Sequence, residues 1–140
     1  MASKMHKMLV DLISRKMYEK GYLPVAFDGR YYVAQGEHIH IPPKIGRHKP
    51  DALGINIKTN VLCIGEAKTT SDLLFERTKE HLVDYSNIIG RTSGQKFELI
   101  IGIPRKAEST LLRIMASHGL TNNSNVSYIL LPEELVENDL

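Results

Sequence analysis

The sequence predicts an α/β fold, a mixed sheet flanked by helices, in one domain spanning residues 1–140. Three observations predict it. An apolar stripe at helical spacing opens the chain, alternating apolar runs of strand length fill its middle, and a nearly continuous apolar run, a helix and one more strand close it. With 140 residues, 42% hydrophobic and 24% charged, the chain has the size and composition of one globular domain with a real core. Its net charge of +2 and pI near 8.6 permit a nucleic-acid partner without demanding one. The single cysteine, Cys63, excludes a disulfide framework and predicts a buried thiol in a reducing compartment. The opening MASKMHKMLV has neither the apolar core nor the cleavage pattern of a leader, and no stretch reaches membrane-spanning length. A cytoplasmic protein with no membrane partner is expected.

From about Ser3 to Lys20, the residues Met5, Met8, Leu9, Leu12, Ile13 and Met17 fall on one helical stripe, with Gly21 as the stop. Tyr22 to Phe27 and Arg30 to Ala34 read as two strands joined at Asp28-Gly29. Glu37, His38 and His40 follow, and then Pro42-Pro43 breaks any regular element. No cysteines at ligand spacing complete a zinc site around these histidines, so they are expected to be structural or solvent-facing. Lys44, Arg47, His48 and Lys49 form a basic cluster immediately before Asp51.

The stretch RHKPDALGINIKTNVLCIGEAKTTS, residues 47–71, carries the chemistry. Fourteen residues separate Asp51 from Glu66, enough for two short strands and a tight turn. Strand alternation puts Asp51, Leu53, Ile55 and Ile57 on one face, and Leu62, Ile64, Glu66 and Lys68 on the same face of the returning strand. A two-residue turn at Thr59-Asn60 sets Asp51 opposite Lys68 and diagonal to Glu66. The same turn placed one residue earlier sets Asp51 opposite Glu66. Either register gathers both acids and the lysine at the open end of an apolar row, whereas a three-residue turn would split them. Neighbouring carboxylates at the edge of a core repel unless a cation intervenes. A divalent metal is such a cation: Mg²⁺ takes one or two carboxylates, completes its shell with water and phosphate oxygens, and offsets charge building on phosphorus. Lys68 is then placed to orient or deprotonate the attacking water.

Pro50-Asp51, the hairpin spacing and Glu66-Ala67-Lys68 resemble the PD-(D/E)XK nuclease superfamily. The resemblance implies a restriction-endonuclease-like αβββαβ core and hydrolysis of DNA phosphodiesters with Mg²⁺ or Mn²⁺. It implies Asp51, Glu66 and Lys68 as the catalytic set, with Asp51, Glu66 and the Ala67 carbonyl as metal ligands. Many members add an acid from the first helix. Asp11 lies about where the small Holliday-junction resolvases of the superfamily carry theirs, while Glu19 points more nearly along the apolar stripe. In a nuclease, Lys44, Arg47 and Lys49 would face the phosphate backbone.

Thr69-Thr70-Ser71-Asp72 offers capping side chains for a helix running to about Ile89, with Leu74, Leu82, Tyr85, Ile88 and Ile89 at apolar positions and Gly90 as the stop. His81 and Tyr85, four apart, share a face. The pair is similar to a Gln-x-x-x-Tyr helix motif of RecB-like members, with histidine replacing glutamine, and implies a DNA contact or a supporting role in the site. Phe97 to Ile103 reads as a central strand buried on both faces. Pro104-Arg105 opens a helix to Ser117 or His118, with Leu111, Leu112 and Met115 inward and Gly119 closing it. Val126 to Leu131 is the last strand, and the acidic residues 133–140 are a short helical turn or a frayed end. Strand, helix, strand is a crossover, so the later strands pair in parallel.

The resulting expectation is a Mg²⁺-dependent DNA endonuclease, working as a homodimer by resemblance to resolvases and restriction enzymes. Two alternatives stand beside it. One is a transposon-end or junction-resolving nuclease that depends on other DNA-processing proteins. The other is a catalytically silent DNA-binding or assembly subunit of the same fold, against which the intact Asp51, Glu66 and Lys68 argue.

Overall fold

The computed structural model describes residues 4–27, 30–31, 48–91 and 93–132. In chain order the elements are α1 (Lys4–Glu19), β1 (Leu23–Phe27), β2 (Arg30–Tyr31), β3 (Ala52–Ile55), β4 (Leu62–Ala67), α2 (Glu76–Asn87), β5 (Glu98–Pro104), α3 (Glu108–Ser117) and β6 (Val126–Leu131). The strands form one sheet in the order β2-β1-β3-β4-β5-β6. Neighbours from β2 to β4 are antiparallel, whereas β4, β5 and β6 run parallel. The chain is therefore an α/β protein with a mixed sheet flanked by helices, as its pattern of apolar runs requires.

The two faces of the sheet are covered by different helices. Leu9, Val10, Ile13 and Met17 of α1 pack against Ala52, Cys63, Ile100 and Leu131. On the other face, Leu82 and Tyr85 of α2 and Leu111, Ile114 and Met115 of α3 pack against Leu53, Ile64, Leu99, Ile101 and Ile103. Burial on both faces explains why β5 reads as an unbroken apolar run. The close seat of α1 depends on glycine. A Cβ at Gly65 would lie 2.4 Å from Cγ2 of Ile13, and one at Gly102 would lie 2.8 Å from its Cδ1. Only residues without a side chain let the helix approach this closely.

The hairpin register runs from Ala52 opposite Gly65 to Ile55 opposite Leu62. This is the register of the earlier turn, and it carries Asp51 toward Glu66. The connection is longer than two residues. The Asn56 amide donates to the Val61 carbonyl at 2.9 Å, and Asn56 Oδ1 accepts from the amides of Lys58 and Thr59 at 3.0 and 3.2 Å. Asn60 completes the turn at φ 62°, a left-handed conformation that asparagine tolerates better than most residues. Ile57 consequently sits in the turn, 55% exposed, and not in the apolar row.

Three further expectations are corrected. The helix after β4 does not start at the Thr69–Asp72 cap: a 3-10 turn over Asp72–Leu74 comes first. The chain is then extended at Phe75, and α2 follows from Glu76. That break turns Leu74 outward, to 67% exposure. In α3 it is Ile114 that joins Leu111 and Met115 inside, while Leu112 is exposed. Ile89 lies beyond the end of α2 and is exposed. Tyr32–Ala34, His38, His40, Lys44, Arg47 and residues 133–140 lie outside the described residues. Among the described residues no helix is long and apolar enough to cross a membrane.

Candidate active site

Asp51 and Glu66 meet at the end of the β3–β4 hairpin that is nearer the C-terminal ends of the parallel strands. Each is anchored by the main chain of its neighbour. The Asp51 amide donates to Glu66 Oε2 at 3.1 Å, and the Ala67 amide donates to Asp51 Oδ2 at 2.9 Å. One oxygen of each carboxylate is thereby fixed. The other faces basic side chains at distances longer than a hydrogen bond. Asp51 Oδ1 lies 3.7 Å from His6 Nε2, and Glu66 Oε1 lies 3.8 Å from Lys68 Nζ and 3.9 Å from His81 Nδ1. Glu66 is 1% exposed. Burial, and then the charge of Glu66, push the Asp51 carboxyl up to about 7, against the opposing pull of the Ala67 amide, Lys68 and His6.

Asp51, Glu66, Ala67 and Lys68 are thus brought together as the sequence expectation required. The expected first-helix acids are not. Asp11 pairs with Arg15 at 3.3 Å and Glu19 with Lys16 at 3.7 Å, all on the outer side of α1. Their positions relative to the stripe Leu9, Val10, Ile13, Met17 turn them to solvent. His6, in the first turn of the helix, comes within 3.7 Å of Asp51 instead. A helical wheel does not reveal that contact, because it arises only once α1 is docked across the sheet.

The expected His81 and Tyr85 pair belongs to a ring cluster behind Glu66. The His48 and His81 rings stack with centroids 3.8 Å apart, and Tyr85 meets both edge-on. His48 Nε2 is hydrogen-bonded to Asp84 Oδ2 at 2.7 Å. Tyr85 is fully buried, so its ring is not exposed for the surface contact expected of it. Its hydroxyl has no hydrogen-bond partner among the described residues. Burial raises its pKa, and the charges of Glu66, Asp51 and Asp84 raise it further. Lys49 is exposed beside this end of the sheet. Cys63 is buried in the α1 side of the core, which raises its thiol pKa and leaves it inert.

Among the described residues no three His, Cys, Asp or Glu side chains form a metal-binding group. The donor set present is of another kind: two carboxylates, each with one oxygen fixed and one offered, and the carbonyl of Ala67 between Glu66 and Lys68 in the chain. Such hard oxygen donors suit Mg²⁺, which keeps most of its waters and needs only one or two protein carboxylates. Burial first, and then the neighbouring charge of Glu66, disfavour ionisation of Asp51, and a cation bound there would offset both. No protein-family model, curated protein or solved structure matches the chain.

Proposed function

We propose that this chain is a Mg²⁺-dependent DNA endonuclease of the PD-(D/E)XK kind, with a restriction-endonuclease-like core. The observation that carries the reading is the Asp51–Glu66 pair, held by reciprocal main-chain hydrogen bonds with Lys68 on the same rim. Asp51, Glu66 and the Ala67 carbonyl would hold the ion. When bound, Mg²⁺ supplies neutralisation of the negative charge on a phosphodiester and acidification of water. Lys68 donates to a non-bridging phosphate oxygen and orients the incoming water for in-line attack. His81, stacked on the His48 ring that Asp84 holds, stands 3.9 Å from Glu66 and walls the inner side of the site. Two copies acting as a homodimer would cut both strands of a duplex.

The test is incubation of the protein with supercoiled plasmid, linear duplex and a four-way junction, each with Mg²⁺, Mn²⁺ or EDTA. Metal-dependent cutting that Lys68→Ala removes supports the reading, and the substrate cut fastest separates a nickase from a junction resolvase. DNA binding without cutting, in either metal, would replace it with a catalytically silent DNA-binding subunit.

A further inference from the structure

On one side the sheet ends at β6, the outermost strand in the order β2-β1-β3-β4-β5-β6. The inner side of β6 is spent on β5, in a parallel register that runs from Leu99 opposite Val126 to Pro104 opposite Leu131. The Leu99 amide donates to the Asn125 carbonyl at 2.8 Å. Main-chain groups alternate in direction along a strand, so Asn125, Ser127, Ile129 and Leu131 turn theirs toward β5. Val126, Tyr128 and Leu130 turn theirs outward. The two ends of this outward row have no donor to offer. The Val126 amide already donates to the Asn123 carbonyl at 3.1 Å, and Pro132, next in the alternation, has no amide hydrogen. Among the described residues no strand pairs with the amides and carbonyls of Tyr128 and Leu130.

Proteins protect such an edge with charged side chains, prolines, bulges or very short strands. β6 uses none of these along its length. Its sequence VSYILL carries no charge over six residues, and its pairing with β5 runs without a shift in register. From Val126 to Leu130 each residue is partly exposed. The side chains that would flank a new neighbour are apolar on both faces of the sheet. Ile129 lies on the α1 side, and Val126, Tyr128 and Leu130 lie on the side of α2 and α3. An uncharged edge of this kind is a template for another strand. Which strand fits is decided by the pattern of its free donors and acceptors.

We infer that β6 pairs antiparallel with β6 of a second copy, joining the two sheets into one across a two-fold axis at Ile129. The donors select the register. Centred on Tyr128, the ladder would set Leu130 against Val126, whose amide is committed. Centred on Leu130, it would set Tyr128 against Pro132, which has no amide hydrogen. Centred on Ile129, Tyr128 of each copy exchanges both main-chain hydrogen bonds with Leu130 of the other, and the donorless Val126 and Pro132 face each other at the ends. Ile129 then faces its own counterpart as a non-hydrogen-bonded pair, with Cα atoms about 4.5 Å apart. On the opposite face the Tyr128 ring lies beside Leu130 of the second copy, a favourable cross-strand pair. One patch serves both copies, as a two-fold contact requires. The inference names the surface for the homodimer proposed above and rests on the strand alone, not on the nuclease chemistry. Asp51 and Glu66 belong to the β3–β4 hairpin, with β5 between it and the joined edge, so pairing and cutting are read separately.

The experiment follows the mass of the full chain by analytical sedimentation across a concentration series, with Ile129→Lys, Ile129→Glu and an equal mixture of the two. The native chain should sediment as a dimer. Each charged variant sets like charges opposite each other and should weaken self-association by about tenfold or more, whereas the mixture sets opposite charges there and should recover the dimer. A second measurement avoids a charge at this partly buried position. Ile129→Cys, oxidised with diamide, should give a disulfide-linked dimer, because its counterpart lies within disulfide reach. Ser127→Cys should not, because the register sets it opposite Leu131. Cys63 is buried and stays out of the reaction. A native chain that is monomeric at every concentration, a dimer as strong in Ile129→Lys as in the native chain, or an Ile129→Cys chain that does not cross-link overturns the inference. Plasmid cutting is assayed alongside: a monomer that cuts overturns the edge pairing and leaves the nuclease reading standing, and a dimer that cuts nothing does the reverse.

Discussion

Two buried-edge carboxylate clusters sit toward opposite ends of the sheet, and they are built differently. At the start of β5, Glu98 accepts from the Tyr22 hydroxyl at 2.9 Å and pairs with Lys20. One acid meets one cation and one neutral donor. The arrangement clasps the end of α1 and the start of β1 to the sheet. Near the end of β4, two acids are held by main-chain amides, and the basic side chains around them stand off at 3.7 to 3.9 Å. The acid of the first cluster is within hydrogen-bond reach of its partners, whereas at the second one oxygen of each acid stands beyond that reach from the side chains it faces. Carboxylate oxygens held apart from their neighbours can take a ligand, and for that reason the second cluster, not the first, reads as a site.

The largest expected effect breaks or upholds this contrast directly. Lys68→Ala should lower the rate of metal-dependent DNA cutting by about 10²- to 10³-fold, the usual loss when one group that stabilises developing charge is removed. Lys20→Ala should leave that rate unchanged, as followed by plasmid nicking at saturating Mg²⁺. Equal losses in the two variants would end the distinction.

Stability should move in opposite directions at the two clusters. Glu98→Ala is expected to cost about 2 kcal/mol in urea denaturation, from a lost charged hydrogen bond and a half-exposed ion pair. Without metal at pH 8, Glu66→Gln should be neutral or stabilising by about 1 kcal/mol, because it relieves repulsion with Asp51. The same variant should lose the rise in Tm that Mg²⁺ or Mn²⁺ gives the native chain.

A smaller effect comes from pH. The Asp51 carboxyl is raised from 3.8 to about 7, so the folded chain holds a proton there that the unfolded chain releases. Its contribution to stability is complete below pH 4 and is lost as pH rises through about 7, roughly 2 kcal/mol after solvent screening. Asp51→Asn should remove this slope, seen as the difference between the two proteins in denaturation at pH 5 and pH 8. Smallest of all, Ile57→Ser in the exposed turn should change stability by less than about 0.5 kcal/mol. A larger loss would restore Ile57 to the apolar row.

Much of this architecture was legible because it depends on periodicity. The stripe of α1, the alternation of the hairpin and the continuous run of β5 each signal how many faces are buried. The convergence of Asp51, Glu66 and Lys68 followed from alternation and one choice of register. What was not legible depends on contacts remote in sequence. The longer turn had a local signal in Asn56 and Asn60, which the apolar Ile57 obscured. The break at Phe75 had none: the Thr69 and Asp72 side chains satisfy each other around a 3-10 turn, and the helix starts afresh after it. The helical stripe points to Asp11 and Glu19 and not to His6, because the seat of α1 on the sheet depends on Gly65 and Gly102, which lie on other elements.

That docking also orders events in time. The apolar stripe of α1 is synthesised before its main partners, β4 and β5, and β5 ends at Pro104. Until those strands emerge, Leu9, Val10, Ile13 and Met17 have no surface to cover them. A nascent chain in this condition is exposed to aggregation and is a natural client for a holding chaperone. Closure across so many residues is slow. Because His6 rides on the same helix, the environment of Asp51 is completed only when the last of these strands is in place.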